Sequence, residues 1–277
     1  MHYSLVSDTW GKEEVQAITK VIKSNIYTYK GKYVNEFEKK FARFFKSKYA
    51  VMVNSGSSAN LISVASLFFK KKRPLKKGDE VIVPTLSWST TYYPLQQYGL
   101  KLKFVDINIE TLNVSVDTII KACTKKTKLI VAVNILGNPM DLFKLRMFCK
   151  KRNIYLMEDN CESMGAKING KYAGTFGIVN TFSTFFSHHI STIEGGLVLT
   201  DDFEIYNLLL ALRSHGWTRD LSKNFYLKKD QKKYENYCFT LPGYNVRPTN
   251  LNAAIGIEQL KKLNNLNFQK VDYKKFP

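Results

Sequence analysis

Val51-Met52-Val53-Asn54-Ser55-Gly56-Ser57-Ser58-Ala59 runs from a short apolar segment through a turn of small polar residues into a helix that the pattern carries from Ala59 to about Phe69. Strand, turn and helix in that order form the repeating unit of a layered α/β fold. The N–H groups and hydroxyls of Gly56, Ser57 and Ser58 stand at the positive end of that helix. They suit a bound phosphate, and they equally suit a simple helix cap.

On the N-terminal side, Val15, Ile18, Val21 and Ile22 fall at helical spacing within Glu13 to Lys23, and Phe37, Phe41, Phe44 and Phe45 repeat the pattern. Two amphipathic helices are expected there. On the C-terminal side, short β-rich runs (Val81 to Val83, Leu102 to Val105, Leu129 to Val133, Ile154 to Met157, Leu197 to Thr200) alternate with helical stretches. This alternation predicts a mainly parallel sheet with helices on both faces, and in such sheets ligands gather beyond the carboxyl ends of the strands. Asn54 to Ser57 and Glu158-Asp159 are both expected just after a strand, and the polar, lysine-rich stretch from Lys223 to Tyr237 is expected as a surface loop.

The 277 residues are 44% hydrophobic and 13% aromatic, enough for a large core. A net charge of +19 is compatible with nucleic-acid or anionic-membrane partners, but the lysines are scattered as doublets, so neither partner is expected. Only Lys70-Lys71-Lys72-Arg73 is a cluster, read as a solvated helix end. No apolar run reaches the roughly 18 residues of a membrane span, and Met1 to Ser24 has no signal-peptide pattern, so the expected location is the cytoplasm. Cys123, Cys149, Cys161 and Cys238 form no C-x-x-C pair and read as free thiols with no metal.

Further motifs follow in order. Pro84-Thr85-Leu86-Ser87-Trp88 closes a strand, and Glu158-Asp159-Asn160-Cys161-Glu162-Ser163-Met164-Gly165-Ala166 places two acids at the end of another. Ser183-Thr184-Phe185-Phe186-Ser187-His188 leads to Glu194-Gly195-Gly196, and Gly243-Tyr244-Asn245-Val246-Arg247 comes last. By residue type alone Trp88 reads as core, while the acids at the strand end suit either a carboxylate facing a protonated heterocyclic nitrogen or, for Asp159, a helix N-cap. Together with Ser55-Gly56-Ser57-Ser58-Ala59, however, the ladder resembles the fold-type I pyridoxal-phosphate (PLP) enzymes that act on nucleotide-linked sugars, the DegT/DnrJ/EryC1/StrS type, over essentially the whole chain.

The resemblance implies an α/β large domain like that of aspartate aminotransferase, with a mainly parallel, seven-stranded mixed sheet flanked by helices. It implies that Gly56, Ser57 and Ser183 hold the cofactor phosphate, that Trp88 stacks on the pyridine ring, and that Asp159 pairs with the protonated ring nitrogen, which makes the ring an electron sink. Glu162, also at the cofactor, stands where aminotransferases of the group usually carry Gln. Asn245, with Arg247, would reach the partner's site in a homodimer with shared active sites.

Aligned on Glu194-Gly195-Gly196, the position of the cofactor-anchoring lysine is held by His188, and no lysine occurs between Lys171 and Lys223. A lysine there both anchors the cofactor and moves a proton, whereas an imidazole, with an ordinary pKa of about 6.5, does only the second. That matches the nucleotide-sugar 3-dehydratase subgroup. The resemblance then implies removal of the C3 hydroxyl of a nucleotide-linked 4-keto-6-deoxyhexose, GDP-4-keto-6-deoxymannose being favoured, on the way to deoxysugars of surface polysaccharide. His188 is the base, L-glutamate the amino donor, and the cofactor alternates non-covalently between PLP and pyridoxamine phosphate (PMP). His215 and Arg219 match the cluster-free members, where they and Arg247 would contact the sugar diphosphate. A related subgroup carries a cysteine-ligated iron–sulfur cluster, but Leu221-Ser222-Lys223-Asn224 stands where its cysteines cluster, so no cluster is expected.

The implied organisation is an N-terminal helical segment (1–30), a PLP-binding large domain (31–250) and the start of a linker helix (251–277) to a small C-terminal domain, truncated or absent. Two rival readings share the ladder. One is a sugar aminotransferase using His188; the other is a binding homologue without catalysis.

Overall fold

The computed structural model describes residues 9–27, 31–222, 225 and 237–263. Helices α1 (Lys12–Lys23) and α2 (Lys32–Phe45) come first, and α2 buries Val34, Phe37, Phe41 and Phe45 along one stripe, as the phenylalanine spacing predicts. The stripe packs on Phe182, whose ring lies 5.3 Å from that of Phe41 and 4.9 Å from that of Phe45.

A seven-stranded sheet follows, built from β1 (Tyr49–Val53), β2 (Glu80–Pro84), β3 (Lys101–Val105), β4 (Thr127–Val133), β5 (Tyr155–Asp159), β8 (Val179–Ser183) and β9 (Gly196–Thr200), in the order β1-β9-β8-β5-β4-β2-β3. β6 (Lys167–Ile168) and β7 (Lys171–Tyr172) form a separate hairpin. β9 lies antiparallel between β1 and β8, and the other pairings are parallel, so β1, β2, β4, β5 and β8 all end on one edge. The connecting helices are α3 (Gly56–Phe68), α4 (Ser89–Gln97), α5 (Val116–Ala122), α6 (Leu142–Arg152), α7 (Phe203–Arg213) and α8 (Asn250–Leu263).

Alternate strand residues feed two layers, since side chains in a strand point to opposite faces. Val51, Val53, Val83, Val131 and Met157 meet Ile62 and Leu67 of α3 and Leu208 and Leu212 of α7. On the other face, Met52, Phe182 and Leu197 meet α2 and α8, while Ile82, Ile130 and Leu156 meet α5 and α6. Burial on both faces explains why these strands read as continuous apolar runs. A buried ion pair, Arg213 Nη1 to Glu38 Oε1 at 2.7 Å, ties the end of α7 to α2, and Arg213 also donates to the Met52 carbonyl at 2.8 Å.

Several expectations need correction. The third helix begins at Gly56, not Ala59, because Ser55 caps it by accepting from Ser58 N at 3.0 Å. Glu158 and Asp159 are the last residues of β5 rather than a segment after it, because β5 goes on pairing with β4 and β8 up to Asp159. β8 carries no strand signal in the sequence, since Asn180, Thr181 and Ser183 are polar yet all five of its residues are buried. Lys70 is not a solvated helix end: its ammonium is buried between Asp202 (2.9 Å) and Glu204 (3.1 Å), which hold its pKa up against burial. Apart from Phe225 and Tyr237, the stretch from Lys223 to Tyr237 lies outside the described residues, as does the chain beyond Leu263.

Candidate active site

The carboxyl ends of β1, β5 and β8 bring distant motifs into contact. A side chain at Gly56 would meet Ser183 Cβ at 2.7 Å and Cys161 Sγ at 3.2 Å, so the first turn of α3, the end of β8 and the turn after β5 touch. Ser57, exposed on that turn, donates to Thr90 Oγ1 at 2.9 Å, which brings α4 to the same place. Trp88, the N-cap of α4, is 72% exposed. It is therefore not core, and its ring is open to a ligand on the face where the strands end.

Pleating sends the two acids of β5 to opposite sides. Glu158 is buried and accepts from three backbone N–H groups, Gly174 at 2.7 Å, Phe176 at 2.6 Å and Gly177 at 2.7 Å. Burial raises its pKa in spite of these bonds. Asp159, 5% exposed, accepts at Oδ2 from Asn60 Nδ2 (2.9 Å) and Thr91 Oγ1 (2.7 Å) and at Oδ1 from Cys161 N (3.2 Å). It is no helix N-cap. Among the described salt bridges none involves Asp159, so a buried carboxylate is served by neutral donors alone.

His188 sits in the loop between β8 and β9, its N–H bonded to the Phe185 carbonyl at 3.0 Å. Burial lowers its pKa, opposed by the negative charges of Glu162 and Asp159, so the ring is neutral at pH 7 with two carboxylates near it. Glu162 is fixed by the Leu136 N–H, which donates to its Oε2 at 3.0 Å. The loop closes on Gly195 and Gly196 for a steric reason. A side chain at Gly196 would strike the Ser55 carbonyl, and one at Gly195 would strike the hydroxyls of Thr184 and Thr192.

Asn245, Arg247, His215 and Arg219 form a second group. Ser214 bridges Asn245, His215 N donates to the Tyr244 carbonyl at 2.7 Å, and Arg247 Nε donates to Asn245 Oδ1 at 2.9 Å. His215, with φ 61, is exposed, and the Arg219 guanidinium lies 3.6 Å from the centre of the Trp217 ring with Asp220 at 3.5 Å. The group joins the first where Asn54 N donates to the Val246 carbonyl at 3.1 Å.

Sequence reading missed Asn60, Thr91 and Thr181. Thr181 Oγ1 donates to Asn60 Oδ1 at 2.7 Å, which orients the Asn60 amide toward Asp159. The available signal was a polar residue at a buried helix position: Asn60 follows Ala59 on α3, whose residues are otherwise nearly all apolar or small. PLP fits these residues. A cationic ring nitrogen would give the Asp159 carboxylate the positive partner that its neutral donors do not, and the first turn of α3 offers N–H groups and the Ser57 hydroxyl to a phosphate. Among the described residues no cluster of His, Cys, Asp and Glu is arranged to hold a metal, and the four cysteines are free thiols. No described helix is long and apolar enough to cross a membrane.

A sheet of this topology, with these residues at its edge, is the large domain of a fold-type I PLP enzyme, and the chain belongs to the DegT/DnrJ/EryC1/StrS aminotransferase family, matched over residues 8–275. It is 56% identical over 266 residues to GDP-4-keto-6-deoxy-D-mannose 3-dehydratase of Escherichia coli O55:H7, covering 95% of this chain and 68% of that protein. The enzyme of the same name from Yersinia pseudotuberculosis is 54% identical over 266 residues, covering 95% and 67%. A solved GDP-4-keto-6-deoxymannose-3-dehydratase holding a trapped PLP–glutamate adduct superposes with a TM-score of 0.90 at 55% identity, covering 95% of this chain and 69% of that one. The chain thus spans about two thirds of the length of these relatives.

Proposed function

We propose that this protein is a PLP/PMP-dependent 3-dehydratase that removes the C3 hydroxyl of a nucleotide-linked 4-keto-6-deoxyhexose, with GDP-4-keto-6-deoxymannose as the favoured substrate and L-glutamate as amino donor. The observation that carries the reading is His188, a neutral base beside Glu162 and Asp159 in a loop with no lysine. Similarity to two 3-dehydratases at 56% and 54% identity supports it. Bound PMP supplies an amino group to join the C4 ketone and a ring that accepts electrons as the C3 hydroxyl leaves.

The chain's own residues then have these tasks. Gly56, Ser57 and Ser183 hold the cofactor phosphate, and Trp88 covers the ring. Asp159, held by Asn60 and Thr91, keeps the ring nitrogen protonated. Glu162 takes a place at the cofactor beside His188. An imidazole nitrogen of His188 would accept the proton lost from the amine-bearing carbon of the bound cofactor, and the positive charge gained by the ring would be balanced by the two carboxylates. His215, Arg219 and Arg247 contact the sugar and its diphosphate, and Asn245 reaches the partner's site in a cytoplasmic homodimer.

Incubation with PLP, glutamate and GDP-4-keto-6-deoxymannose tests the proposal. Ammonia and a 4-keto-3,6-dideoxy sugar are expected by mass spectrometry. Nitrogen retained in the sugar would instead mark an aminotransferase. Because burial lowers the pKa of His188, the acid limb of kcat/KM should have its midpoint below the ordinary 6.5.

A further inference from the structure

Ile193 has a φ of 71° and is 54% exposed. A β-branched residue is crowded in the left-handed region and stays there only where its surroundings leave no alternative. Those surroundings are specific. Asn252 Nδ2 of α8 donates to the Thr192 carbonyl at 2.7 Å, and Gln259 Oε1 of α8 accepts from Ser191 N at 3.0 Å. Trp10 Nε1 donates to the Ser191 carbonyl at 3.3 Å. Gln259 is itself fully buried and fixed, donating to the Thr9 carbonyl at 3.0 Å and to Glu14 Oε1 at 2.8 Å. Below this clamp the neck of the loop is tied, with Thr192 N on the Thr184 carbonyl and Thr184 N on the Gly195 carbonyl, each at 2.9 Å. Side chains of α8 and the N-terminal segment therefore grip the backbone immediately before the strained residue, in the loop that carries His188.

We propose that Asn252 and Gln259 are positioning residues for His188: by holding Ser191 and Thr192 they keep Ile193 left-handed and so set the path of residues 185–194. This rests on His188 as the base. It also makes α8, which shares no residue with the sequence motifs, the element that decides whether the base is in register.

The test uses the full chain and two readouts. In Asn252→Ala, amide hydrogen exchange of residues 185–194 in the cofactor-free protein should quicken by about tenfold. The kcat should fall by about ten- to a hundredfold while KM for the nucleotide sugar stays within about threefold. Adding Ile193→Asn should restore both, because asparagine enters the left-handed region far more readily than isoleucine. A general loss of packing would not be repaired by a change at an exposed residue. Asn252→Asp, which keeps the shape but removes the donor, should behave as Asn252→Ala and serves if the alanine variant folds poorly. Unchanged exchange in both Asn252 variants, or a loss that Ile193→Asn leaves in place, overturns the proposal. If the unaltered protein shows no dehydration, the reading of His188 falls, and the exchange measurement alone decides the clamp.

Discussion

Two pairs of identical-class neighbours, Glu158 with Asp159 and His188 with His189, divide by their surroundings. Glu158 turns inward and is closed off by three backbone N–H groups of one loop, whereas Asp159 turns toward the ends of α3 and α4 and is held by side chains from both. Burial lowers the pKa of both histidines, but His188 has the charges of Glu162 and Asp159 opposing that effect, while at His189 burial and the neighbouring His188 act in the same direction and push the pKa down to about 4. On the proposed function, Asp159 and His188 belong to the site and Glu158 and His189 to the frame. Residue type does not distinguish them; the groups around each side chain do.

Exchanging the members' roles should separate activity from stability. The largest effect is expected on the site side: Asp159→Asn should lower dehydration by about 10²–10³-fold, the scale seen when a preorganised electrostatic group is removed, with thermal unfolding little changed. On the frame side, His189 remains neutral in the fold while an unfolded chain protonates it near 6.5. Its folded pKa is depressed, so the stability it contributes is present above about 6.5 and is lost as pH falls toward about 4. That loss amounts to at most about 3 kcal/mol. In His189→Phe, the difference between urea midpoints at pH 7 and pH 4.5 should shrink accordingly.

Glu158→Gln puts an amide NH2 against backbone donors and should lose about 1–3 kcal/mol in urea unfolding, with turnover per folded molecule unaltered. Equal loss of turnover in Glu158→Gln and Asp159→Asn would erase the division between frame and site. The smallest effect belongs to Thr91→Val, which removes one of the bonds to Asp159. A hydrogen bond to a charged group is worth about 1.5 kcal/mol at the low end, so cofactor affinity by absorbance titration should weaken by about tenfold.

How much was legible depended on whether the signal was local. The helical stripe of Phe37, Phe41 and Phe45, the apolar strands and the turn at Gly56 all follow from sequence spacing, because periodicity and motif order are properties of the chain itself, whereas the place of His188 is legible only through the resemblance to the family. β8 was invisible because its buried side chains are polar ones, satisfied by partners far along the chain, as Thr181 is by Asn60. Lys70 was misread for the same reason, since Asp202 and Glu204 lie at the start of another helix.

The sequence by itself determined the family, the layered α/β architecture and the presence of a histidine, with no lysine near it, before Glu194-Gly195-Gly196. Only the tertiary structure decided which acid of Glu158-Asp159 is held by side chains of α3 and α4, which histidine has carboxylates near it, and that side chains of α8 hold the loop carrying both histidines. The physical reason is that hydrogen-bond partners, burial and charge proximity arise between residues that folding brings together, and these set orientation and pKa, which no residue possesses alone.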